Sequence, residues 1–131
     1  MAADFAYDYA VVRVVPRVER GELVNVGVIL SCPEAEYLEA TIELDEARLL
    51  ALDPAVDLSI VRGHLATIPA ICAGAPGGGP IAALPQRQRF HWLVSPRSTI
   101  IQMSAVHTGR TGDPARCLQR LLDRMVRAPE A

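Results

Sequence analysis

The sequence contains no lysine: all 13 basic side chains are arginine. Schiff-base catalysis and the lysine of a P-loop are therefore excluded. Aromatic residues make up 5%, too few for the stacked platforms that hold single-stranded nucleic acid. The net charge is −2 over 131 residues. No global field steers the chain toward nucleic acid, and a nucleic-acid partner is not expected. Cysteine occurs three times, at Cys32, Cys72 and Cys117, without C-x-x-C spacing. This argues against a zinc knuckle and a disulfide framework, and each thiol lies in an apolar segment suited to core packing. No metal site and no cofactor are expected. The G-x-S-x-G nucleophile elbow is missing, and no apolar run approaches the ~18 residues of a membrane span. The start, MAADFAYDYA, lacks the basic and apolar regions of a secretory signal, which sets the expectation of a cytoplasmic chain without membrane contact.

What is present fits one domain over residues 1–131. Residues 7–16, YDYAVVRVVP, are β-branched and aromatic and read as a strand. RVERG is the turn, with Gly21 free to take a positive φ. Residues 22–32, ELVNVGVILSC, form the second strand of an antiparallel hairpin. By alternation Val24, Val26, Val28, Leu30 and Cys32 share one apolar face, the expected main core. Arg13 and Asn25 fall together on the other face, away from the helices, where Gly27 leaves a gap. YLEATIEL, residues 37–44, alternates as a third strand, with Leu38, Ala40, Ile42 and Leu44 inward.

Residues 45–52 read as a helical turn or two. Asp53-Pro54 has the chemistry of a helix start, and Leu58, Val61, Leu65 and Ile68 recur at helical spacing. Pro69 kinks or ends that helix. AGAPGGGP, residues 73–80, reads as a flexible loop: three successive glycines suggest a phosphate cradle, but the P-loop pattern is missing. Residues 86–94 fit a short helix starting near Pro85, although alternation of Phe90, Trp92 and Val94 also fits a strand. STIIQMS is a fourth strand and AVHTGRTG a loop. Asp113-Pro114 starts a last helix whose stripe is Leu118, Leu121, Leu122, Met125 and Val126. Its other face carries Arg116, Arg120 and Arg124. The fold expected is α+β: an antiparallel sheet of about four strands (N-terminal hairpin, third strand, C-terminal strand) with helices mainly on one face.

Charge is unevenly spread. Residues 34–57 hold eight acids and one arginine, whereas residues 86–127 hold eight arginines and two aspartates. This reads either as internal complementarity or as a partner-binding face. The densest polar stretch is RFHWLVSPRSTIIQMSAVHTG, residues 89–109. Ser95-Pro96 has turn chemistry. Arg97, Ser98 and Thr99 follow it, where a forked guanidinium and hydroxyl donors suit an anion. Arg13, Arg17 and Asn25 are candidate members of the same site. His107 is the candidate acid or base, since imidazole titrates near neutrality. A Ser98–His107 dyad is rejected, because the extended strand between them holds the two on the order of 30 Å apart.

Three segments in this order, YDYAVVRVVPRVERGELVNVGVIL, LDEARLLALDP and RFHWLVSPRSTIIQMSAVHTGRTGDP, resemble the bacterial domain-of-unknown-function family 3037. The resemblance runs from about Tyr7 to the last helix. It brings no catalytic residue with it; it implies a HipA-like kinase as a partner, through members found beside such kinase genes. The leading expectation is a non-catalytic interaction or regulatory domain. The alternative is an enzyme or binder of phosphorylated or nucleotide ligands, built on Arg13, Arg17, Asn25, Arg97, Ser98 and Thr99.

Overall fold

The computed structural model describes residues 4–129. Its centre is an antiparallel sheet. Strand β1 (Phe5–Val14) pairs with β2 (Val24–Cys32) across a turn in which Gly21 takes a φ of 69°. Strand β3 (Tyr37–Ile42) continues the meander beyond β2. The other edge of β1 is shared by two short strands. β4 (Ile101–Met103) pairs with Val12–Val14, and β5 (His107–Thr111) pairs with Phe5–Tyr9. Between them Ser104 keeps the ladder closed: its N–H donates to the Val11 carbonyl (2.9 Å) and its Oγ accepts from the Val11 N–H (2.8 Å). The sheet thus has five strands in an α+β fold. The extra strand is β5, which lies in the AVHTGRTG segment expected to be a loop. Its polar residues are tolerated because β1 supplies the pairing backbone and one face is exposed.

Alternation in β2 breaks at a β-bulge. Val12 faces Gly27 and Arg13 faces Asn25, so Val26 is the extra residue. After it the faces swap. Val24 and Val26 join one core with Val12, Val14 and Ile29, whereas Val28, Leu30 and Cys32 join a second core on the opposite face. The single five-residue apolar face expected for β2 is therefore divided between two layers. Gly27 leaves no gap: it is buried, and a Cβ there would lie 2.6 Å from the Thr41 carbonyl oxygen of β3.

Helices α1 (Glu46–Leu52), α2 (Leu58–Ala73) and α3 (Gln86–Val94) cover the first face through Leu49, Val61, Leu65, Ile68, Phe90 and Leu93. Each such side chain, fully buried, contributes roughly 1.5–3 kcal/mol. The start of α2 is capped by Asp57, whose carboxylate accepts from the Ile60 N–H, and not by Asp53. Asp53 instead ends α1 and accepts from the Ala55 N–H and from Arg17. Pro69 lies inside α2, which runs on to Ala73. Residues 76–83 fold into short 3-10 turns broken at Gly79 and laid along α2, where a Cβ on Gly78 would sit 3.0 Å from the Ile71 Cα.

Helix α4 (Pro114–Met125) starts as its sequence predicts, with Asp113 accepting from the Arg116 N–H and Pro114 in the first turn. It alone packs on the second face, through Cys117, Leu118, Leu121, Leu122 and Val126. No single helix among the described residues is long and apolar enough to cross a membrane.

Candidate functional site

A helix leaves its last carbonyls without intrahelical donors, and cations are favoured there. Two arginines of the polar stretch serve that need. Arg89 donates to the carbonyls of Ile71 and Cys72 at the end of α2, at 3.0 and 2.8 Å. Arg97 donates to those of Leu93 and Trp92 at the end of α3, at 3.2 and 2.6 Å, and its guanidinium lies 4.2 Å over the Trp92 ring. Thr99 Oγ1 donates to the Ile101 carbonyl (2.8 Å), and Ser98 is exposed. SPRST is thus the C-terminal stop of α3 and the entry to β4.

The other candidate residues lie elsewhere. Arg13 donates to Asn25 Oδ1 (3.3 Å), and Asn25 Nδ2 donates to the Met125 carbonyl (3.0 Å). The pair sits together, as alternation predicts, but not away from the helices: it ties the end of α4 to the sheet. Arg48 adds a donor to the neighbouring Val126 carbonyl (3.1 Å). Arg17 reaches Asp53 at 3.4 Å beside the hairpin turn. His107 stacks on Tyr9, 5.3 Å between ring centres, on the α4 side of the sheet. The predicted set is therefore spread over four places, and only Arg97 and Thr99 share a cavity.

That cavity is a cleft of about 220 Å³ between α2, α3 and β4. Ile68, Ile71, Leu93, Ile101 and Met103 give it apolar walls, and His64, Thr67, Trp92, Arg97 and Thr99 line it with them. Sequence reasoning did not reach His64, Thr67 or Trp92. The one available signal was Trp92, the sole tryptophan of the chain and 40% exposed.

A second surface lies on the opposite face. Arg116, Arg120 and Arg124 project from α4 into solvent, each step of four residues advancing about 6 Å. Among the described residues these three arginines alone have no side-chain hydrogen bond or ion pair. Others of the C-terminal part are neutralised: Arg87 by Asp8, Arg110 by Asp4 and Arg127 by Glu43. Beside the ridge β1 and β5 present Tyr7, Tyr9 and His107. Burial holds the Tyr7 hydroxyl above its usual pKa, with a hydrogen bond to Cys117 adding to the effect and the Arg120 charge opposing it. The Tyr7 ring fills the space over Gly109, where a Cβ would meet it at 2.5 Å.

Reactive groups are muted. All three cysteines are buried. Burial raises the Cys32 thiol and pushes Cys72 up to about 12, the reverse of an activated nucleophile. No group of three or more His, Cys, Asp and Glu side chains among the described residues is arranged to hold a metal ion.

No curated protein and no solved structure matches the chain. A family model described as "Protein of unknown function (DUF3037)" matches residues 9–126, from the middle of β1 to the end of α4. That span takes in the bulged hairpin, the α3 stop and the α4 ridge alike, and the chain belongs to the DUF3037 family.

Proposed function

We propose that this protein is a non-catalytic interaction domain that engages an acidic surface of a partner protein through the outer face of α4. The observation that supports this reading is the row Arg116, Arg120 and Arg124. Internal complementarity accounts for Arg127, which forks onto Glu43 at 2.9 and 2.7 Å. It leaves the row without a counter-charge among the described residues. Three exposed cations along about 12 Å of helix suit an acidic helix or strand of similar length. Tyr7, Tyr9 and His107 alongside offer amphipathic rings of the kind enriched at interfaces.

The partner to test first is a HipA-like kinase, to which the family resemblance points. Co-expression of the two, followed by size-exclusion chromatography at low salt, should give one co-eluting species that dissociates as salt is raised. Separate elution at every salt concentration sinks the kinase as partner. A low-salt mobility shift of a DNA duplex, stronger than any kinase binding, would reassign the ridge to phosphate contacts.

A further inference from the structure

The α2–α3–β4 cleft lies on the face of the sheet opposite the ridge, and its chemistry is different. Its walls are aliphatic, and its charged lining is of one sign. None of the side chains that form it is a carboxylate. Arg97 spends two N–H groups on neutral carbonyls, so its charge is not neutralised there. A guanidinium carries five N–H donors in one plane, which leaves three for a ligand. The Trp92 ring 4.2 Å away holds that plane in place. Thr67 and His64 add polar groups beside it, although the Thr67 hydroxyl already donates to the His64 carbonyl.

We infer that this cleft is a binding site for a small monocarboxylate with an apolar tail. The Arg97 fork takes the carboxylate, and Ile68, Leu93, Ile101 and Met103 take the tail. The volume argues for a small ligand, since about 220 Å³ falls below the roughly 300–1,000 Å³ of pockets for drug-sized molecules. The charge argues for a carboxylate over a phosphate. A single guanidinium matches the two oxygens of a carboxylate, whereas a phosphate dianion would enter an aliphatic cleft with its remaining charge unpaired. This narrows the anion-site expectation that placed phosphorylated ligands at Arg97, Ser98 and Thr99. It does not depend on the α4 surface.

Trp92 is the only tryptophan, so its fluorescence reports on this cleft alone. The intact protein is titrated with octanoate, with octanol and with inorganic phosphate. Octanoate should give a saturating change, octanol should bind at least about tenfold more weakly, and phosphate should do nothing. Arg97→Gln should weaken octanoate by roughly ten- to a hundredfold, to the level of octanol. Met103→Phe fills the cleft from β4 without touching Arg97 and should remove both organic ligands. It decides the question if Arg97→Gln fails to fold. No response to octanoate, equal affinity for acid and alcohol, or a response to phosphate alone would each overturn the inference.

Discussion

The guanidinium of Arg97 stacks 4.2 Å over the Trp92 ring and donates to the carbonyl of that same residue. One side chain thereby caps α3, fixes its exposed indole and charges the cleft. An arginine in a bare turn would matter little, because exposed substitutions usually change stability by under about 0.5 kcal/mol. As a cap stacked on an indole, Arg97→Ala should cost roughly 1–2 kcal/mol. Urea denaturation measures this, and a loss below ~0.5 kcal/mol would return Arg97 to the turn.

The bulge places Val26, at 0% exposure, in the layer that α1, α2 and α3 cover. Val26→Asp should cost several kcal/mol and abolish cooperative folding, since the buried carboxylate would have no partner. Val106→Asp is the control: Val106 is 42% exposed, and its melting curve should hardly move.

Gly27 faces β3 closely: a Cβ there would meet the Thr41 carbonyl oxygen at 2.6 Å as well as the end of the Ile42 side chain at 2.7 Å, and the backbone atom cannot swing aside. Gly27→Ala must push Thr41 away or bend β2, at roughly 1–3 kcal/mol. The same change at Gly63, which has nothing within reach of a new Cβ, should be neutral or stabilising within α2 by up to ~1 kcal/mol. Chemical denaturation of the two variants side by side should show a clear loss for Gly27→Ala and no loss for Gly63→Ala.

Thiol chemistry should follow folding. With Cys72 pushed up to about 12, its thiolate fraction at about pH 8 is on the order of one in ten thousand. The neutral thiol is the form the fold favours, so reactivity rises only as pH climbs toward that value or as the chain opens. Ellman's reagent should find almost no thiol in the native protein and three in denaturant. Rapid native labelling of Cys72 would mean that the α2 layer opens readily.

Much of the frame was legible because several local signals agreed. In α4 the Asp113-Pro114 start, the leucine stripe and the arginine row all point to one helix in one orientation. The hairpin was legible from its β-branched runs and Gly21. What stayed hidden was decided by partners distant in sequence. The bulge could not be read in VNVGVIL, because beyond Asn25 the residues are apolar or glycine and alternation no longer shows which face each one takes. β5 could not be read from HTGRT, which pairs through backbone donated by β1. Asp53 and Asp57 both have cap chemistry, and tertiary structure separates them: Asp57 caps α2 at the Ile60 N–H, while Asp53 ends α1 and accepts from the Ala55 N–H and Arg17. The candidate site fared likewise. Arg97 and Thr99 were singled out, but the role of Arg97 depends on which carbonyls end α3. His64 and Trp92 are brought to the same cleft by packing alone.

The reading of this chain as an interaction domain rests on the outer, arginine-bearing face of α4 being idle in the fold and needed outside it. A variant carrying Arg116→Glu, Arg120→Glu and Arg124→Glu should therefore melt within a few degrees of the unmodified protein. In the co-elution assay with the HipA-like kinase it should fail to give the complex expected of the unmodified protein. A variant that still co-elutes in full, or one that no longer folds, would contradict the account.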